Sequence, residues 1–158
     1  MQIAKPNPFR EMDPRDKGIL QQLADGKSYR EVGLIMGAKR FSIVDRTKEI
    51  VDTYGVLEPV GRGYVQHVNG LPALIKLIQA GVASGNLTHE MPQGPISYLS
   101  QREHEVISEL MAGRNYQEIA EIFCISPKTV DTHASHIHRK IGYKNVLHLA
   151  ARMAYRDK

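Results

Sequence analysis

Tryptophan is absent from this 158-residue chain, cysteine occurs once, and aromatic residues are few. No apolar run approaches the roughly 18 residues that a membrane span needs, so no membrane partner is expected. The lone Cys124 cannot close an internal disulfide, which fits a reducing compartment. Met1 to Pro8 lack the apolar core of a signal peptide, and a cytoplasmic location is the expectation. No phosphate-cradling glycine loop, nucleophile–base pair or pocket-forming pair of acids occurs. No catalytic residue and no cofactor are therefore expected, no small-molecule ligand is evident, and the chain does not read as an enzyme. His133 and His136 share a helix face with His138 nearby, but no cysteine pair or carboxylate completes a ligand set, so no metal site is expected. With 21 Lys and Arg against 17 Asp and Glu, the net charge of +4 is compatible with nucleic acid without requiring it.

What is present centres on Ser126 to Gly142. Ser126 is a good N-cap, and Pro127 suits the first helical position, where its missing N–H costs nothing. Val130, Ile137 and Ile141 recur at helical spacing and form an apolar face. Between them lie Lys128, Thr129, Thr132, His133, Ser135, His136, Arg139 and Lys140, all donors, hydroxyls or cations, with one acid, Asp131. Such a helix could enter a DNA major groove, or be an ordinary amphipathic surface helix.

The preceding residues favour the first reading. Ser100 followed by Glu103 is a capping box opening a helix whose apolar residues are Val106, Ile107, Leu110 and Met111, and Gly113 ends it. A second helix spans about Tyr116 to Phe123, with Ile119, Ala120 and Ile122 inward. The turn Cys124-Ile-Ser126 leads into the third, with Cys124 as a small apolar plug. Together these are a helix-turn-helix. A fourth apolar helix, Asn145 to about Tyr155, completes the unit through Val146, Leu149, Ala150 and Met153.

Leu99-Ser-Gln-Arg-Glu-His-Glu-Val-Ile, Gly113, Tyr116-Gln-Glu-Ile-Ala, Ile125-Ser-Pro-Lys-Thr-Val, His133 and Lys140-Ile-Gly142 resemble the LuxR/GerE-type DNA-binding domain, in order and without gaps. The resemblance covers residues 97–158. It implies a bacterial or phage transcription regulator on double-stranded DNA, nucleoid-associated and meeting RNA polymerase at promoters, either recruiting or blocking it. It places base reading at the positions of Asp131, Thr132 and Ser135, leaves Lys128, Thr129, Arg139 and Lys140 for the backbone, and counts Ser126, Val130, His133 and His136 among the DNA-contacting positions as well. An acid at Asp131 suggests altered specificity rather than lost binding, since it can accept from cytosine N4. The fourth helix is the family's usual dimer surface, so Leu147, Ala150, Ala151 and Ala154 imply a homodimer. A single chain using two copies of the unit as a pseudo-dimer is the alternative.

That alternative rests on an internal repeat. With the chain shifted by 87 positions, Arg15 falls on Arg102, Leu23 on Leu110, Gly26 on Gly113, Tyr29 on Tyr116, Glu31 on Glu118, Ile35 on Ile122, Ile50 on Ile137 and Gly55 on Gly142. Residues 12–80 thus read as a second, degenerate helix-turn-helix. Its turn lacks the Ser-Pro start, so its third helix is expected to begin near Phe41 or Ser42. Gly33 replaces Ala120, keeping the helix crossing small while weakening the helix. Lys39 and Arg40 at the helix start, Ser42, Arg46 and Lys48 form its candidate DNA contacts, mainly with phosphates. The competing reading gives this copy a protein partner.

An insertion after Gly55 alternates around Gly61-Arg-Gly63 and reads as a short β-hairpin at 57–68, with Arg62 at a tip that could touch a phosphate. Leu71 to Ala80 supplies the fourth helix of this copy. The expected architecture is all-α: a degenerate helix-turn-helix domain at 1–81, a linker at 82–96 and a LuxR/GerE-type domain at 97–158. The functional alternatives are a protein-interaction adaptor, an anti-activator or a sigma-like factor.

Overall fold

The computed structural model describes residues 7–55, 70–88 and 98–154. Among them are eight α-helices and no strand: α1 Pro14–Ala24, α2 Tyr29–Met36, α3 Arg40–Tyr54, α4 Leu71–Ala83, α5 Gln101–Met111, α6 Tyr116–Phe123, α7 Pro127–Ile141 and α8 Val146–Ala154. The all-α expectation holds for these residues. The expected hairpin at 57–68, with Arg62, lies outside them.

Local chemistry explains the boundaries. Ser100 caps α5, its hydroxyl accepting from the Glu103 amide at 3.2 Å while the Glu103 carboxylate accepts from the Ser100 amide at 2.6 Å. Ser28 with Glu31 repeats this box at α2, and Asn115 with Glu118 repeats it at α6. Ser126 caps α7 ahead of Pro127, and Gly142 closes it in the left-handed region at φ 60°, donating to the His138 carbonyl at 2.7 Å. Helix α3 has no side-chain cap at Lys39, yet it starts at Arg40, slightly earlier than the missing Ser-Pro pair suggested. Packing at the turn compensates: a Cβ on Gly33 would come within 2.7 Å of the Ala38 carbonyl oxygen, so this close approach requires glycine.

Helices α1, α2 and α3 have the same lengths as α5, α6 and α7, and each begins 87 positions before its counterpart. The spacing breaks only at α4 and α8. Helix α4 also runs past Ala80 to Ala83, into the stretch read as linker. The Asn86 and Leu87 amides then both donate to the Gly81 carbonyl at 2.9 Å, and Leu87 is buried. Gln21 holds Thr88 through both of that residue's backbone groups, at 2.8 and 2.9 Å. Residues 82–88 are therefore built onto the N-terminal helices by apolar burial and hydrogen bonds, and do not act as a free tether.

Two apolar cores result. One contains Leu20, Leu23, Val32, Ile50, Leu74, Ile75 and Ile78, and the other Val106, Ile107, Ile119, Val130, Ile137 and Ile141. Helix α8 serves both. Leu149 sits in the C-terminal core, while Leu147, Ala150 and Ala151 sit in the N-terminal one, where α8 packs along α4 and against α1. Full burial of side chains this size removes about 25 cal/mol of unfavourable hydration per Å² of apolar area. The small Ala150 and Ala151, with no exposed surface, let the helices approach closely.

This corrects the dimer surface. Leu147, Ala150 and Ala151 are already covered by the chain's own N-terminal helices, and Ala154 is half-buried, so these residues are not free for a second copy.

Candidate nucleic-acid interface

The face of α7 is set by what it buries. Val130, Ala134, Ile137 and Ile141 form the inward stripe. Val130 has no exposed surface, so the expectation that it touches DNA is corrected: it anchors the helix from beneath. Ser126, Lys128, Thr129, Thr132, Ser135, Arg139 and Lys140 are exposed, and Asp131, His133 and His136 partly so. The sequence-derived polar face is thus brought together on one helix.

Within that face Lys128 and Lys140 are already partnered. The Lys128 ammonium meets the Asp131 carboxylate at 2.8 Å, and this hydrogen bond raises the lysine's pKa from its ordinary value. The Thr132 hydroxyl donates back to the Lys128 carbonyl at 3.0 Å, and the Ser126 and Thr129 hydroxyls lie 2.9 Å apart. Lys140 pairs at 2.7 Å with Glu103 on α5. Its expected role at the DNA backbone is therefore joined by a structural one, clamping α7 to α5. Burial would push the Glu103 carboxyl up, but the hydrogen bonds from Lys140 and from the Ser100 amide outweigh it and leave it lowered.

Other contacts fix the pose of α7. Arg152 on α8 donates to the Ile141 carbonyl at 2.7 Å, and the Tyr143 hydroxyl donates to the Ala134 carbonyl at 3.2 Å. Burial, with Tyr116 adding to it, pushes the Tyr143 phenol up to about 12. Tyr116, Ala134, Ser135, His138, Arg139 and Tyr143 line a recess of about 330 Å³ beside the exposed face. The turn before α7 is held by Arg102, which lies 4.2 Å over the Phe123 ring and pairs with Glu105 at 2.8 Å. Ile122, expected inward, is 45% exposed because α6 is only two turns long and its inward positions go to Ile119 and Ala120. Cys124 is exposed with φ 52°, a left-handed cap rather than a buried plug.

The N-terminal counterpart differs. Lys39, the N-cap of α3, and Arg40, Ser42 and Lys48 within it are exposed as expected. Arg46 is instead committed to acids, its Nε and Nη2 donating to buried Asp16 at 2.7 and 2.8 Å and its Nη1 to Glu49 at 2.7 Å. Its expected phosphate contact is corrected, because three short bonds hold its guanidinium against α1 and α3. Phe41 occupies the helical position that Lys128 has in α7 and is 73% exposed, with the Arg40 guanidinium 5.9 Å from its ring centre. Leu34 and Ile35 on α2 are also exposed. Sequence reasoning missed the clamping acids Asp16 and Glu103. The signal was available, since the 87-residue shift lays one acid over the other.

Among the described residues no cluster of metal-ligating side chains occurs, and no helix is long and apolar enough to cross a membrane. No solved structure matches the chain. The oxygen regulatory protein NreC of Staphylococcus aureus strain bovine RF122 / ET3-1 is 35% identical over 132 residues, covering 84% of this chain and 59% of the relative. NreC of strain MRSA252 matches with the same values. The chain thus spans about three-fifths of the length of these curated relatives. Residues 97–154 match the GerE family, described as bacterial regulatory proteins of the luxR family. The capped α5, the α6–α7 turn and the exposed polar α7 face all lie within residues 97–154, the segment of this chain that is a GerE domain of the luxR family.

Proposed function

We propose that the chain is a sequence-specific double-stranded DNA-binding transcription regulator that acts at promoters, with RNA polymerase as the partner met there. The exposed polar face of α7 carries this reading, because the helix is buried only through one apolar stripe and offers hydroxyls, amphoteric histidines and cations to a groove. In it Thr132, Ser135 and His136 read base edges. Lys128, Thr129 and Arg139 contact phosphates and set the register. The matches to bacterial regulatory proteins support the same class.

Selection from a random duplex pool with the full chain tests this. Enrichment of a defined motif, changed by Ser135→Ala or His136→Ala, is the expected result, and recovery of no motif overturns it. A second reading, with the N-terminal half holding a protein, draws on the exposure of three large apolar side chains, Leu34, Ile35 and Phe41, on α2 and α3.

A further inference from the structure

Two glycine contacts between the halves are reciprocal, although α1 packs broadly on α8 and α5 has no comparable packing on α4. Gly26, just past α1, lies against the start of α8: a Cβ there would meet the Lys144 side chain at 2.9 Å and His148 at 3.0 Å. Gly113, just past α5 and 87 positions later, lies against the start of α4, where a Cβ would meet Pro72 at 2.7 Å. Both glycines hold left-handed φ values of 82° and 81°. Helices α4 and α8 then pack on each other between these two contacts. At these two points element A touches element B while the counterpart of A touches the counterpart of B, which is the contact pattern that a two-fold relation produces, here within one chain. Two-fold symmetric heads suit duplex DNA, whose own local two-fold axes let both heads meet successive groove segments.

The two heads are not alike. Helix α3 offers Lys39, Arg40 and Lys48, none of which has an ion pair among the described residues, alongside the acid Asp45. Lys48 occupies the position that Ser135 has in α7, and Asp45 that of Thr132. A lysine in that place suits guanine O6 and N7, whereas a serine is permissive.

We propose that one chain, without a second copy, occupies a two-part duplex site, with α7 on one half and α3 on the other, and that the halves differ in sequence. This rests on the DNA-binding reading above. The test combines random-duplex selection with the stoichiometry of the full chain on the selected duplex, measured by sedimentation. The expected result is one chain per duplex and two unlike motifs, centred about one helical turn (~10 bp) apart or a multiple of it. The double variant Lys39→Ala/Lys48→Ala, both side chains being exposed, should erase only the second motif and weaken binding about tenfold, with an unchanged thermal transition. Two chains per duplex on a palindrome overturns the inference. A single short motif indifferent to the double variant also overturns it and returns the α3 face to a protein partner. In both cases DNA reading by α7 survives. Absence of any motif, with Ser135→Ala equally without effect, removes both proposals together.

Discussion

Asp16 and Arg46 form a two-pronged ion pair, Nε to one carboxylate oxygen at 2.7 Å and Nη2 to the other at 2.8 Å, that ties α1 to α3. Asp16 is almost wholly buried while Arg46 is half-exposed, so the arginine lies over the acid as a lid. Removing it leaves a buried carboxylate without its counter-charge. Arg46→Ala is expected to lower the melting temperature by several degrees while leaving DNA affinity nearly unchanged. Thermal denaturation beside a binding titration checks this. A large affinity loss with an unchanged transition would restore Arg46 to the DNA-contacting set.

Asp131 restrains Lys128 on the face of α7 through their 2.8 Å contact. Exposed pairs like this contribute little to stability. Their effect on binding is larger, since the acid repels phosphates and occupies the ammonium. Asp131→Asn is expected to raise affinity for all duplexes several-fold and to steepen the salt dependence. Lys128→Ala should weaken binding evenly and reduce the salt slope by about one. Titrations at several salt concentrations measure both.

The Glu103 clamp makes stability depend on pH. Its carboxyl is lowered from the ordinary 4.5, so the unfolded chain takes up its proton before the folded one does. The stabilisation is therefore complete above pH 4.5 and drains away as the pH falls from there through the lowered folded value. Glu103→Gln should flatten the acid limb of a stability-versus-pH curve and lower stability at neutral pH. Lys140→Ala should do the same in part. An acid limb identical to the parent's would remove the clamp from the account.

Cys124 ends α6 at φ 52°, where its counterpart Gly37 sits at φ 66°. A side chain in this region carries a steric penalty that glycine avoids. Cys124→Gly is expected to stabilise by about 0.5–1 kcal/mol after glycine's greater loss of chain entropy is subtracted. The corresponding rise in melting temperature is about 1–4 °C.

Much of the helix inventory was legible in the sequence because its determinants are local. Ser100 with Glu103, Ser126 with Pro127, and Gly142 each fix a boundary within one turn of the residue that causes it. The 87-residue spacing between the starts of α1, α2 and α3 and those of α5, α6 and α7 was legible for the same reason, since turn glycines and apolar spacings are local signals. The partners of the charges were not. Arg46 and Lys140 look like free cations in one dimension, and only the packing of α1 on α3 and of α5 on α7 brings Asp16 and Glu103 beneath them. Ile122 was misplaced because helical spacing tells which residues share a face and not how far the neighbouring helix extends over it, whereas the burial of Val130 was already legible in its spacing with Ile137 and Ile141. The occupant of α8 was out of reach too, since small residues on an apolar helix suit a second copy and an internal neighbour equally well.

That doubly used helix bears on how the protein can be handled. Cutting the chain between Thr88 and Tyr98 would strip Leu147, Ala150 and Ala151 of their cover on one fragment and lay bare Leu74, Leu77 and Ile78 on the other. Each fragment would carry a sticky seam made for a companion it no longer has, and the nearest substitute in a tube of purified fragment is another copy of itself. A dimer seen with the severed C-terminal half would then be a product of the scissors, and the intact chain is the form whose assembly state has meaning.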